Sequence, residues 1–307
     1  QESLSASRIK LLHSKKNSTL FVVNADCLDF PILVKQVHSN DTEAQYQSLL
    51  TAAKRFNSNK CTTTTDDKFF QYRVPQPVAY FPDENIICME YICAHSVYST
   101  LLSLKISLNK KNEAIKACGH WLAHFHSADR VRMEAFDVHD KLAQLEPLLK
   151  PLQHYLINDP VLKKACEYLK HESHNLANTK TNIGSLHGDF KPENIIIKDE
   201  TIVGIDFHIG NHGTQIMDLA QFTNHLLFFG VRARSALVFQ HLHNWISLFV
   251  QVYRNDVSNI CPEQISWLRL HHLLRYWALE RVRKHPLAYF QAWWLRKEIA
   301  RFIERET

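Results

Sequence analysis

The sequence predicts an α+β chain in two lobes, a small β-rich one over residues 1–91 and a larger helical one over residues 92–307. Three observations carry this reading. Short apolar runs broken by polar turns dominate the chain up to Tyr91, the pattern of strands and hairpins. From Ile92 onward apolar residues recur at helical spacing over long stretches. Strand-like sequence returns only at Ile195–Ile205, between helices. A chain of 307 residues is long enough for two such lobes with a cleft between them.

The elements follow in order. Ile9–Leu12 and Leu20–Val23 are strand runs separated by the polar stretch His13–Thr19, and Ile32–Val37 is a third strand. Thr42–Phe56 sets Ala44, Leu49, Leu50 and Ala53 at helical spacing. Asp41 or Thr42 suits its cap, because a short side-chain oxygen accepts from the free N–H groups of a first turn. Asn57–Lys68 is polar and Thr-rich and reads as a loop. Val78–Phe81 and Ile86–Met89 flank Pro82-Asp83-Glu84-Asn85, a hairpin-like turn. Helical patterns then cover Asn112–Ser127, Lys141–Tyr155 and Val161–Leu176, and helices run from Ile205 to the end.

Composition excludes several classes. With 45% apolar and 22% charged residues, disorder, collagen and a coiled coil are excluded as the main state. No apolar run is long enough to span a membrane, and Gln1–Lys10 lacks the apolar stretch of a leader. Seven cysteines are scattered without a CxxC pair, so neither a disulfide framework nor a structural zinc is expected, and a reducing cytoplasm is. His124/His126, His241/His243 and His271/His272 lack acidic or thiol partners at ligand spacing and read as core or helix-face histidines.

The net charge of +5 is unevenly placed. Residues 207–307 hold twelve Lys/Arg against seven Asp/Glu, and the rest of the chain is balanced. The excess is densest in Arg275–Arg305, together with Tyr276, Trp277, Tyr289, Phe290, Trp293, Trp294 and Phe302. Aromatics at helical spacing are usually core, so this segment reads as a packed helix with its basic side in water. Contact with an acidic membrane face or an anionic glycan is the functional alternative. No nucleic-acid partner and no obligate protein partner is expected.

The chemistry lies in Leu186–Ala220. Asp189 and Asn194 stand five residues apart in a loop with Pro192 between them. Ile195–Lys198 runs out as a strand, Asp199–Thr201 turns, and Ile202–Ile205 runs back. Adjacent strands lie about 4.8 Å apart, so Asn194 and Asp206 return side by side. A carboxylate and an amide oxygen at one point suit Mg²⁺ shared with substrate phosphates. Asp189 lies near the same end and can accept a proton. A base beside a two-ligand magnesium site is the minimum for phosphoryl transfer, where positioning and charge neutralisation supply most of the catalysis.

His187-Gly188-Asp189, Asn194 five residues on, Ile205-Asp206 and Asp218-Leu219-Ala220 resemble, in this order, the aminoglycoside phosphotransferase and choline kinase branch of the protein-kinase-like fold. Gly188 stands where protein kinases carry Arg, and Phe207-His208 where they carry Phe-Gly. Lys191 and Glu193 are protein-kinase-like, so a protein kinase stays an alternative. So does a pseudokinase-type binding module, although Lys35, Asp189, Asn194 and Asp206 are all present.

The resemblance implies an ATP-dependent kinase with ATP and Mg²⁺ as cofactors, and it extends over nearly the whole chain. It implies that Lys35 holds phosphates, with Glu43 as its ion-pair partner and Gln45 the nearby alternative. Met89, Glu90 and Ile92 resemble the hinge, with backbone groups of Glu90 and Ile92 meeting adenine and Met89 lining the pocket. Asn194 and Asp206 hold the metal, Asp189 is the base, and Lys191 neutralises the transferring phosphoryl. His187 and Asp218 brace the loop, and His126 is structural. The phosphate-covering loop falls at His13–Thr19, which has no glycine. Ser14, Asn17 and Ser18 offer donors there, with Lys15 and Lys16 adding charge. The acceptor is a small hydroxyl compound. The basic C-terminal third favours a sugar, a glycan or another neutral or anionic acceptor over an aminoglycoside.

Overall fold

The computed structural model describes all residues except 1–7, 15, 16, 25, 27, 39–41, 59–61, 66, 67, 128–131, 208–211, 234, 235, 284 and 307. The chain forms two compact units, residues 1–129 with 185–212 and residues 130–184 with 213–307.

The first unit opens with β1 (Arg8–Ser14), β2 (Ser18–Asn24), β3 (Ile32–Val37), α1 (Thr42–Ser58), β4 (Thr62–Thr65) and β5 (Lys68–Arg73). β6 (Pro77–Phe81), β7 (Ile86–Glu90), β8 (His95–Ser96), α2 (Val97–Leu102) and α3 (Leu108–Ser127) follow. Its sheet of order β1-β2-β3-β7-β6 is antiparallel throughout. β3 is its centre, with Lys35 opposite Leu20 on one side and Ile87 on the other. The stretch 57–68 departs from its loop reading, because β4 lies inside it and pairs with β5. Four consecutive threonines are β-branched and fit a pleated strand better than a coil.

In the second unit are β9 (Arg132–Ala135), α4 (Val138–Leu149), α5 (Gln153–Asn158), α6 (Pro160–Leu176) and β10 (Lys180–Ser185). The chain then re-enters the first unit for β11 (Ile195–Lys198) and β12 (Thr201–Gly204), a hairpin. β13 (His212–Thr214), α7 (Ile216–Ala233), α8 (Ala236–Asp256), α9 (Pro262–Val282) and α10 (Pro286–Glu306) complete the chain. A second sheet, in the first unit, has the order β4-β5-β12-β11-β8, and β12 lies parallel to β5.

Two helical expectations change. Lys141–Tyr155 is broken into α4, a 3-10 turn at Lys150–Leu152 and α5, because Pro151 has no N–H to continue the ladder. Strands outside 195–205 also occur: β10 reads Lys-Thr-Asn-Ile-Gly-Ser and shows no apolar alternation.

In the first unit the core centres on Trp121 of α3. Its ring stacks with Phe56, Phe125 and Phe190 at 5.1, 5.4 and 5.7 Å between centroids. Its Nε1–H donates to the Arg73 carbonyl at 3.1 Å. β12 passes so close that a Cβ on Gly204 would lie 2.2 Å from the Trp121 Cζ2 atom. In the second unit Trp245, Trp267, Tyr253 and Phe249 are fully buried, and Trp267 Nε1–H donates to the Leu169 carbonyl at 3.0 Å. His271 and His272 of α9 are buried there. The core reading of the C-terminal aromatics holds for Trp277 and Phe302, whereas Tyr289, Phe290 and Trp293 are exposed. No helix among the described residues is long and apolar enough to cross a membrane.

Candidate active site

The site is built within the first unit. Leu186-His187-Gly188 leads into the loop, and Gly188 takes φ 80°, a left-handed conformation that costs glycine little. His187 is buried against Phe207, with ring centroids 4.6 Å apart. Its Nδ1 accepts the Asp189 N–H at 3.4 Å, so the histidine braces the loop through backbone. A 3-10 turn at Pro192–Asn194 follows, closed by the Asn194 N–H on the Lys191 carbonyl at 2.9 Å.

Three side chains converge in this turn. Asn194 is buried, and its Nδ2 donates to both the carbonyl and the Oδ2 of Asp189, each at 2.9 Å. Lys191 Nζ forms an ion pair with the same Oδ2. One carboxylate thus has an amide to fix its rotamer and a cation beside it.

The hairpin then closes as its four-residue arms require. Ile195 pairs with Gly204, and the Ile205 N–H donates to the Asn194 carbonyl at 2.9 Å. Asp206 follows at φ 60°, left-handed for a residue with a Cβ. Such a conformation costs on the order of 1–3 kcal/mol and persists only where the surroundings impose it. The turn aims the carboxylate at β3, where Lys35 Nζ donates to Oδ1 at 2.8 Å. Asp189, Lys191 and Asn194 therefore form one hydrogen-bonded group, Lys35 and Asp206 a second, and the Ile205–Asn194 backbone bond joins them.

A small cavity of about 30 Å³ adjoins this pair, lined among others by Lys35, Gln45, Leu49, Ile87, Met89 and Asp206. Of the two candidates on α1, Gln45 lines this cavity and Glu43 is exposed. Glu90 is held by its side chain. Arg73 binds both carboxylate oxygens at 2.7 Å, and the Gln76 N–H donates to Oε2 at 3.2 Å. Ile92 is buried just beyond β7.

Around the β1–β2 turn, Ser14 Oγ lies 3.2 Å from Thr19 Oγ1, and the Asn17 carbonyl accepts the His38 N–H at 2.9 Å. Ser18 pairs with Val37 in the sheet. These three residues sit together at one sheet end. Lys15, Lys16, Asp41 and His208 lie outside the described residues. Asp218 is in the second unit, buried near Tyr253, whose hydroxyl pKa is pushed up by burial and by that carboxylate.

Sequence reading missed Arg73 and Arg55. Arg55 Nη2 donates to Ser185 Oγ at 2.8 Å, and its guanidinium lies 5.7 Å from the Phe125 ring centre. Neither arginine stands in a pattern, and only the folded chain shows what each holds.

No curated protein matches the sequence. Solved structures do match. A glucosamine kinase in complex with glucosamine, ADP and inorganic phosphate is 14% identical, with a TM-score of 0.65 over 98% of this chain and 83% of that one. A choline/ethanolamine kinase family protein from Mesorhizobium loti is 12% identical, with a TM-score of 0.59 over 99% and 90%. A putative fructosamine-3-kinase from Thermobifida fusca is 16% identical, with a TM-score of 0.54 over 97% and 93%. At these identities the likeness is one of fold. The sequence itself carries the assignment further: residues 34–246, from the strand bearing Lys35 through the Asp189 loop and Asp206 into α8, match the APH family, and the chain belongs to this phosphotransferase enzyme family.

Proposed function

We propose that this enzyme transfers the γ-phosphate of ATP to a hydroxyl of a small, sugar-like molecule. The observation that carries the reading is the convergence of Asp189, Lys191 and Asn194 in one turn, tied by a backbone bond to the Lys35–Asp206 pair. Residues 1–91 supply the nucleotide-holding side, and residues 92–307 supply the transfer chemistry and the acceptor side. We place the enzyme in the cytoplasm.

The donor set fits a hard divalent cation, and Mg²⁺ is our assignment. Asn194 commits its Nδ2 to Asp189, which makes its amide oxygen the atom of ligand character, and the Asp206 carboxylate follows the strand that pairs back to it. When bound, the cation neutralises charge on the phosphate oxygens. Lys35 then exchanges its carboxylate partner for phosphate. Ser14, Asn17 and Ser18 cover the phosphates from the β1–β2 turn. Backbone groups of Glu90 and Ile92 meet the adenine edge, and Met89 packs behind it.

Asp189 accepts the proton of the acceptor hydroxyl as that oxygen bonds to the γ-phosphorus and the bond to the β-phosphate oxygen breaks. Its rotamer is already fixed by Asn194, so little reorganisation is left for the reaction step. Lys191 stands beside Asp189 and neutralises charge that moves onto the phosphoryl oxygens.

For the acceptor, the positive excess of residues 207–307 repels a polycation and tolerates a neutral or anionic sugar. The fold likeness to kinases described as acting on glucosamine and fructosamine supports the sugar class. An ATP-consumption screen over aminoglycosides, amino alcohols, sugars and glycan fragments tests this. A sugar-like or anionic hydroxyl compound should give the highest kcat/KM, and an aminoglycoside ahead of all of them would refute it.

A further inference from the structure

We propose that the junction of α9 with α10, together with the outer face of α10, docks on an anionic lipid bilayer surface. Val282, Leu287, Tyr289, Phe290 and Trp293 are each between 44% and 60% exposed within one stretch of twelve residues. α10 has an inner face to bury, and it buries Ala288, Ala292, Leu295, Ile299 and Phe302. Phe290, Trp293 and Lys297 follow one another at spacings of three and four on the opposite side.

The aromatic face is ordered. The Phe290 and Trp293 rings stack with centroids 5.6 Å apart, and Lys297 Nζ lies 5.0 Å from the Trp293 ring centre. The Arg281 guanidinium lies 4.1 Å from the Tyr155 ring centre and 5.5 Å from that of Tyr289. Tyr289 is therefore held outward beside a positive charge.

Charge selects the partner. Residues 281–297 contain Arg281, Arg283, Lys284, Arg296 and Lys297 and no Asp or Glu. Arg296 is spent on Asp159 at the start of α6 and Arg283 pairs with Glu280 just before the segment, which leaves Arg281 and Lys297 as the cations beside the rings. Rings at headgroup depth, aliphatic side chains below them and cations meeting lipid phosphates are what an interfacial helix presents to an anionic leaflet. A sugar polymer needs hydrogen-bonding groups beside the rings, and Val282 and Leu287 offer hydrocarbon. A second copy of this face would bring like charges together. The contact is peripheral, since no helix among the described residues can span the bilayer.

Co-sedimentation of the full chain with vesicles of phosphatidylcholine, with and without phosphatidylserine, tests the proposal. Binding should require the anionic lipid and weaken with salt. The Phe290→Ser/Trp293→Ser double variant should bind at least about ten-fold more weakly. Lys297→Gln should lower binding by about five-fold. All three side chains are exposed, so unchanged thermal melts are expected and separate lost binding from lost folding. Failure to bind anionic vesicles or equal binding by the double variant would overturn the proposal. So would capture by an anionic polysaccharide, or self-association through this face, with vesicles left unbound.

Discussion

One amide nitrogen of Asn194 bridges the backbone carbonyl and the carboxylate of Asp189, at 2.9 Å to each. The residue assigned to the cation therefore also sets the rotamer of the residue assigned to the proton. Asp189→Asn keeps the size of the side chain and removes the base. Turnover should fall by roughly 10²–10⁴-fold with nucleotide binding nearly intact. Asn194→Ala should lose both turnover and magnesium-dependent nucleotide binding. Calorimetry with and without Mg²⁺, beside steady-state kinetics, separates the two, and a fully active Asp189→Asn enzyme would remove Asp189 from its role.

Lys35 and Asp206 neutralise each other at 2.8 Å. Lys35→Met should weaken ATP binding by roughly ten-fold or more, the scale of losing a charge-assisted hydrogen bond. Asp206→Asn should weaken only the magnesium-dependent part. Titrations with ATP and with ATP plus Mg²⁺ read this directly. Equal losses in both titrations for Asp206→Asn would contradict a metal role.

Gly204→Ala tests the close approach of β12 to Trp121. The added methyl would meet the indole at 2.2 Å, and that ring is pinned by Arg73 and by stacked neighbours. Overpacking of this kind costs about 1–3 kcal/mol. Urea unfolding should show that loss, and Trp121→Phe in the same chain should make the two changes non-additive. An unchanged midpoint for Gly204→Ala would mean that the strand does not lie against the ring.

Stability should fall in acid through two buried histidines. Burial, with the nearby positive charges of Arg275 and Lys141, holds His272 down to about 3 and His271 to about 4, although His271 Nε2 lies 2.9 Å from the Lys141 carbonyl. An unfolded histidine titrates near about 6.5. Below that pH the unfolded chain binds protons that the folded chain refuses. Stability is thus complete above about pH 6.5 and is lost as pH falls toward 4, by up to about 1.4 kcal/mol per pH unit for each histidine. Urea midpoints across this window should slope downward with acid, and His272→Leu should flatten the slope. An unchanged slope in that variant would show that His272 is charged in the fold.

Much of the site is legible in the sequence because it is local. Asn194 and Asp206 are joined by a hairpin whose arms can be counted, and the structure closes it at Ile195 and Gly204. β3 is a run of apolar residues, and it appears with the expected bounds, Ile32–Val37. What the sequence does not display is set by packing between distant segments. Choosing between Glu43 and Gln45 depends on how α1 is rotated against the sheet, and spacing alone does not fix that rotation. The parallel pairing of β5 with β12 joins segments over a hundred residues apart and sets Arg73 opposite Val203. The outer aromatics of α10 carry the same spacing a core helix would show. Only their exposure separates them from Trp277 and Phe302.

Arg73 ends β5 and makes three attachments at once. Its carbonyl holds Trp121, its guanidinium grips Glu90, and its backbone runs beside Val203 of β12, three residues before Asp206. The strand carrying Glu90, proposed to meet adenine, and the strand leading to Asp206, proposed to hold the cation, are therefore geared to one part. Neither can slide without moving the other, so a nucleotide that shifts Glu90 would be felt at Asp206 as a mechanical displacement. Replacing Arg73 would decouple the gear without removing any residue proposed to touch the reactants.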